Sequence, residues 1–336
     1  LKAKPALRGR LEPRRIRLSG ARVTLTRSPD GGFGLSVGDA DMPGLATGSL
    51  PEVVETIDRI FELPVLSGIE RVEANDLDIS LDDRRSDQTL RVSEGRLLMV
   101  QDARDLSVSL GFELAGIGAA PASAEVSFTS RKRSPAAQFG ARVSNVSAKE
   151  LAAQSPALAW LGVLDAPISG AFRSSIARDG SVGRLDGALE FGAGALSPTE
   201  GVKPVRFDQA KVYLSYDPAS ARLDFSEISV NSRALRVKAD AKGWLREFDA
   251  GLPNTLIGQV RISDLQADPE GLFETAAAFP RGAVDFKLAL DPFAVTVGQL
   301  VLVDGQKRIM GEGDIAADAE GWTVALDFKV NQITHD

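Results

Sequence analysis

The side chains that ordinarily carry out chemistry are scarce in this chain. It has no cysteine and a single histidine, His335. A thiol nucleophile, a disulfide framework, a cysteine metal site, a histidine-dependent triad and a multi-histidine metal centre are therefore excluded within this stretch. Carboxylates are plentiful, and Asp82, Asp83 and Asp87 cluster in DDRRSD. Arg84 and Arg85 stand among them and EF-hand spacing is absent, so the cluster reads as a solvated loop. A glycosidase needs two acids facing each other in a pocket, whereas the acids here fall mostly at turns or on polar strand faces. The GGFG at Gly31 to Gly34 lacks the lysine and the following helix of a phosphate loop and reads as a turn. Arg131, Lys132 and Arg133 form a run too short to signal nucleic acid and read as a charged turn. A net charge of -7 argues against a nucleic-acid partner. No catalytic residue, metal site or cofactor is predicted.

What remains is architecture. The 336 residues are 43% hydrophobic and 25% charged, a globular composition. No apolar run approaches the ~18 residues of a membrane span. The chain opens at Leu1 and its strand pattern runs almost to Asp336, so it reads as a piece of a longer protein, with any anchor outside it.

The stretch from Phe207 to Ala241 organises the rest. Apolar residues fall at Val212 and Leu214, at Leu223 and Phe225, at Ile228 and Val230, and at Leu235, Val237, Ala239 and Ala241. A period of two predicts half-buried strands, since successive side chains point to opposite faces. Asp217-Pro218 and Asn231-Ser232 turn the chain between them. Leu214, Phe225, Val230 and Val237 should share one face, with Lys211, Tyr213, Arg222, Asp224, Arg236 and Lys238 opposite, unless a bulge flips a run.

Elsewhere, Arg8, Arg10, Arg14, Arg15 and Arg17 form a basic cluster. It reads as the polar face of a first strand with Ile16 and Leu18 on its buried side; contact with anionic lipid headgroups is the alternative. Hairpins are predicted at ARVTLTR–SPDGG–FGLSV and at AEVSFTS–RKRSP–AQFGARV. Three segments change to a helical period: 50–62, 148–162 with a break at Pro156, and 268–279. Ser49 with Glu52 and Ser147 with Glu150 make capping boxes. Trp160 reads as core rather than as a ligand platform. VYLSYDPASARLDFSEISV and FKLALDPFAVTVGQLVL repeat one rhythm, and LDISLDDRRSDQTLRVSEGRLLM follows it more loosely.

Several of these segments resemble a known family. LRGRLEPRRIRLSGARVTLTRSPDGGFGLSVGD resembles the strand-turn-strand start of AsmA-like bacterial envelope proteins. SPALAWLGVLDAPISG, the Asp179-Gly180 turn and Tyr216-Asp217 resemble the central region of YhdP-type members. The resemblance implies a mainly β protein, an elongated antiparallel meander curled into a groove and built from repeats. Its segments would be 1–145 and 146–336. It also implies a periplasmic location, tethered to the inner membrane by an anchor outside this sequence. The groove would conduct phospholipids toward the outer membrane, with their acyl chains and outer-membrane components as partners. The groove candidates are Val212, Leu214, Leu223, Phe225, Ile228, Val230, Leu235, Val237, Leu288, Leu290, Val295 and Val297. The alternative is a non-enzymatic envelope scaffold that assists outer-membrane protein assembly through its sheet edges. The apolar face could equally be a closed core.

Overall fold

The computed structural model describes residues 13–28, 33–37, 40–41, 68–84, 88–114, 121–134, 136–152, 156–179, 181–249, 252–268, 276–305 and 307–332. The helix predicted over 50–62 lies outside the described residues. Two compact units divide the chain. The first comprises Leu1–Ser144 and Phe172–Gly183, the second Asn145–Ala171 and Arg184–Asp336. Among the described residues, both are built almost wholly of strands.

The first unit contains β1 (Arg15–Ser19), β2 (Arg22–Arg27), β3 (Phe33–Val37), β4 (Ala40–Asp41), β5 (Arg71–Asp83), β6 (Gln88–Gln101), β7 (Asp105–Leu114), β8 (Ala122–Arg131) and most of β9 (Ala137–Ser147). From β5 to β9 the chain is an antiparallel meander. Both predicted hairpins are present, β2 pairing with β3 and β8 with β9.

The sheet is nonetheless mixed. β1 and β2 both run parallel to β5, Arg15 opposite Arg71 and Arg22 opposite Asp78. A parallel pair needs a connection of a dozen or more residues, and the chain between Asp41 and Arg71 is long enough. Gly20, at φ 73°, lets the chain step from β1 to β2 along the same edge of β5.

One core cluster of this unit is Ile69, Met99 and Leu106, against which Ile16, Val72, Leu97, Val108 and Phe128 pack. Leu18, predicted to be buried beside Ile16, is exposed. It lies beyond that cluster, near the end of β1. Of the basic cluster, Arg8 and Arg10 lie outside the described residues; Arg14, just before β1, pairs with Glu70 at 2.8 Å, and Arg17 on its polar face pairs with Glu73 at 2.9 Å.

The second unit opens with α1 (Ala148–Ala152), which follows Ser147 directly, and a 3₁₀ helix, η1 (Pro156–Val163). Across the break predicted at Pro156 the helix type changes, from α ending at Ala152 to 3₁₀ starting at Pro156; residues 153–155 lie outside the described residues. A small sheet joins β10 (Leu164–Asp165), β13 (Gly194–Leu196) and β14 (Val205–Phe207); β11 (Pro167–Ile176) begins in this unit.

The main sheet contains β12 (Leu185–Phe191), β15 (Gln209–Asp217), β16 (Arg222–Asn231), β17 (Leu235–Asp249), β18 (Leu252–Ala267), β20 (Arg281–Leu290), β21 (Phe293–Asp304), β22 (Lys307–Asp318) and β23 (Gly321–Gln332). All pair antiparallel in that order. A short β19 (Ala277–Phe279) pairs with Leu265–Ala267 of β18. The helix predicted over 268–279 is therefore corrected in its described part. The alanine-rich end has helical propensity, but three ladder positions on β18 override it.

Candidate functional site

Residues directly opposite in an antiparallel ladder share a face, so the register alone places the twelve groove candidates. Val212 lies opposite Ile228, Leu214 opposite Phe225, and Val230 opposite Val237. Leu223 is opposite Gly243, and Leu235 and Val237 lie on the same side of β17 as Gly243. Across β18, Leu245 meets Leu256, which meets Leu288; Leu288 meets Val295, and Phe286 meets Val297. Leu290 completes β20. All twelve stand on one face. The predicted opposite set, Lys211, Tyr213, Arg222, Asp224, Arg236 and Lys238, stands on the other.

The face survives because three bulges preserve it. Apolar residues skip three positions instead of two at Phe225 to Ile228, Ile262 to Leu265 and Val297 to Leu300. The ladder is irregular at each of these places. An extra residue in one strand absorbs the odd step, so the run after it returns to the same side. The repeat seen in the sequence is structural here: the β15–β16 and β20–β21 hairpins each turn at Asp-Pro and carry a bulge in the second strand.

Sequence reasoning stopped short of the full extent of the face. Val284, Phe286, Leu300, Leu302, Ile309 and Ile315 continue it, and β23 adds Trp322, Val324, Leu326, Phe328 and Val330. The alternation in the last meander was the available signal. With no lone anchor such as Asp217-Pro218 beside each strand, its phase could not be tied to the first face without the ladder.

Burial varies along the face. Val212, Leu214, Leu223 and Phe225 are buried; Ile228, Val230, Val237, Leu288, Leu290, Val295 and Val297 are half-buried; Leu235 is exposed. On β23, Val324 is 59%, Phe328 54% and Val330 67% exposed, while Trp322 and Leu326 are half-buried.

η1 packs on part of the buried face. Trp160 packs on Phe191 with ring centroids 6.3 Å apart and edge-on against Phe225 at 5.8 Å. Val163 joins Val202, Phe293 and Ala317 in a cluster edged by Leu164, Leu196 and Trp322. Trp322 donates its indole N–H to the Lys203 carbonyl at 2.7 Å, fixing that edge.

These contacts require the sheet to curl. Phe191 on β12 and Phe293 on β21 are six strand spacings apart, roughly 29 Å on a flat sheet. Trp160 and Val163 are only about 6 Å apart along a 3₁₀ axis. One short helix reaches both strands because the sheet bends around it.

The opposite face is cross-linked by charge, and Tyr213, Trp244 and Ile257 are exposed on it. Lys211 pairs with Glu190 at 2.7 Å, Arg222 with Asp224 at 2.6 Å and Arg261 with Asp240 at 2.9 Å. Hydrogen bonds from Ser220 and Ala219 hold the Asp217 carboxyl below its ordinary range and fix the hairpin turn. Asp82 pairs with Arg84. Among the described residues, no three His, Cys, Asp or Glu side chains are grouped to hold a metal ion. No described helix is long and apolar enough to cross a membrane. The chain matches no protein-family model, no curated protein and no solved structure.

Proposed function

We propose that the second unit carries phospholipid acyl chains along its apolar face, as a periplasmic segment of an envelope protein tethered to the inner membrane and similar to AsmA-like, YhdP-type proteins. One observation carries this reading: a single apolar face runs unbroken over nine strands and ends in open hydrocarbon at Val324, Phe328 and Val330.

The energetics favour such a surface for such a cargo. Drawing a lipid chain from a bilayer into water costs about 0.8 kcal/mol per CH₂, hence roughly 10 kcal/mol or more per chain. A carrier must therefore offer apolar surface at every step of the path. Alternation supplies that surface, bulges keep it in phase, and the curl shields it from water. The ion-paired opposite face keeps the unit compatible with an aqueous compartment. The role is binding and conduction, with no bond made or broken, so it requires no catalytic side chain.

The test is mass spectrometry of organic extracts from the purified chain. Co-purifying phospholipid, lost on placing charge at Phe328 and Val330, is the expected outcome. A lipid-free chain that also takes up none from vesicles would leave the scaffold alternative in its place.

A further inference from the structure

β23 leaves one edge of the second unit's main sheet open. Its residues, Gly321–Gln332, pair with β22 in unbroken register, and among the described residues no strand lies along its other side. Native sheets commonly blunt such an edge with proline or a bulge. β23 contains no proline, and its ladder with β22 shows no bulge. The strand also carries unanswered charge. Asp327 lies directly opposite Glu312, acid against acid, and among the described residues neither has a basic partner. Like charges at opposed ladder positions are unfavourable. Lys329, two residues on and so on the same side of the strand, lies opposite Met310 and is likewise without an ion pair among the described residues.

We propose that the open edge of β23 pairs antiparallel with β23 of a second copy of this chain, about a two-fold axis through Phe328. The strand's own sequence selects that register. Phe328 then faces Phe328 of the second copy, Leu326 faces Val330 and Asp327 faces Lys329, the last two pairs occurring twice by symmetry. Each Asp327 gains on its free side the cation that it lacks beside Glu312. A register one residue away sets apolar side chains beside charged ones. An axis through Leu326 leaves Asp327 opposite Ala325 and Lys329 opposite Thr323, and one through Val330 leaves Lys329 opposite Asn331. Residues directly opposite share a face, so in the Phe328 register the apolar side chains of both copies lie on one side. The exposed hydrocarbon of Phe328 and Val330 gains cross-strand neighbours, and the apolar face continues from one copy into the other. The pairing does not depend on what that face carries.

Charge exchange tests the pairing. A single strand pair is a small interface, so the dimer should be weak, and sedimentation velocity of the full chain is read across the micromolar range. Expected is a concentration-dependent dimer in the parent. Asp327→Lys sets lysine against Lys329 of the second copy, and Lys329→Asp sets aspartate against Asp327. Each variant alone should therefore dimerise roughly tenfold more weakly. Mixed in equal amounts, the two variants should recover the parent's association as a heterodimer, because every facing pair is then opposite in sign. The double variant Asp327→Lys/Lys329→Asp should recover it within one chain. Both side chains are exposed, so the unfolding transition of each variant should match the parent's. A parent that stays monomeric, a dimer equally strong in both single variants, or a mixture that associates no better than its components overturns the proposal. None of these outcomes alters the acyl-path reading, which is tested by extracted lipid.

Discussion

The ring of Phe286 lies over Gly258, its ladder partner across β18 and β20. A Cβ built on Gly258 would stand 3.1 Å from Phe286 Cε1, 2.4 Å from the Lys242 carbonyl oxygen and 2.9 Å from the Gly243 Cα. Two of those neighbours are backbone and cannot rotate away. Glycine is required here because the adjacent strand's backbone approaches closely. Gly258→Ala should therefore destabilise the second unit by about 1–3 kcal/mol, as overpacked sites do. Gly111→Ala, with nothing within 4 Å of its Cβ, should stay within about 0.5 kcal/mol. Denaturant midpoints of the two variants check the contrast.

Lys132 does more than decorate a charged turn. Its ammonium donates to the Gln101 side-chain oxygen at 2.6 Å and to the Asp102 carbonyl at 2.8 Å. Gln101 is buried and passes its own N–H to the Ile69 carbonyl at 2.6 Å. Gln101→Ala removes the amide partner of a buried carbonyl and one of the lysine's acceptors at once. A loss of about 1–3 kcal/mol is expected, against a smaller loss for Lys132→Met, which leaves the Gln101–Ile69 bond in place. Thermal unfolding of both variants decides the order.

The apolar face was legible in the sequence because period-two alternation is a local signal. The skip from Phe225 to Ile228 runs against the expectation that a bulge would flip a run: here the bulge keeps both residues on one side. What could not be read was non-local. Nothing in RIRLS or ARVTLTR indicates that both strands run parallel along one edge of β5, because that pairing depends on a connection of several dozen residues. Ala277–Phe279 was drawn toward helix by its composition and toward β18 by a partner distant in the chain. Trp160 was assignable to a core, but its partners Phe191 and Phe225 come from strands on either side of β15.

Glu247 gives a pH-dependent contribution whose sign is fixed by its partners. The hydrogen bond from Thr255, then the hydrogen bond and charge of Lys287, hold its carboxyl below the ordinary glutamate value. A lowered folded-state value means the stabilisation is present above the unfolded-state value and fades as pH falls through the lowered one. Thr255 is fully buried, so Thr255→Val removes the hydroxyl while filling the same space. The variant should lose the acid-side part of the stability profile attributable to Glu247. Unfolding measured from neutral pH down through the carboxylate range, with the Glu247 titration followed by NMR, tests this; an unshifted Glu247 titration in the variant would refute the assignment.

Charge placed on the apolar face should act differently at its two ends. Phe225 is 7% exposed beneath Trp160, so Phe225→Asp buries an unpaired carboxylate against an aromatic ring. The expected cost is several kcal/mol, which for a marginal domain means unfolding. Val330 is on the same face but 67% exposed, and there the carboxylate of Val330→Asp stays hydrated. Its effect on stability should remain within about 0.5 kcal/mol. If acyl chains use the open end, Val330→Asp and Phe328→Asp should lower phospholipid uptake with the unfolding transition unchanged. That combination separates loss of a path from loss of a fold, which Phe225→Asp alone cannot do. Val324→Thr, nearly isosteric and uncharged, should fall between the parent and Val330→Asp in uptake, because it removes apolar surface without adding a full charge. Uptake equal to the parent in Val330→Asp, Phe328→Asp and their combination would mean that the exposed hydrocarbon of β23 takes no part in binding lipid.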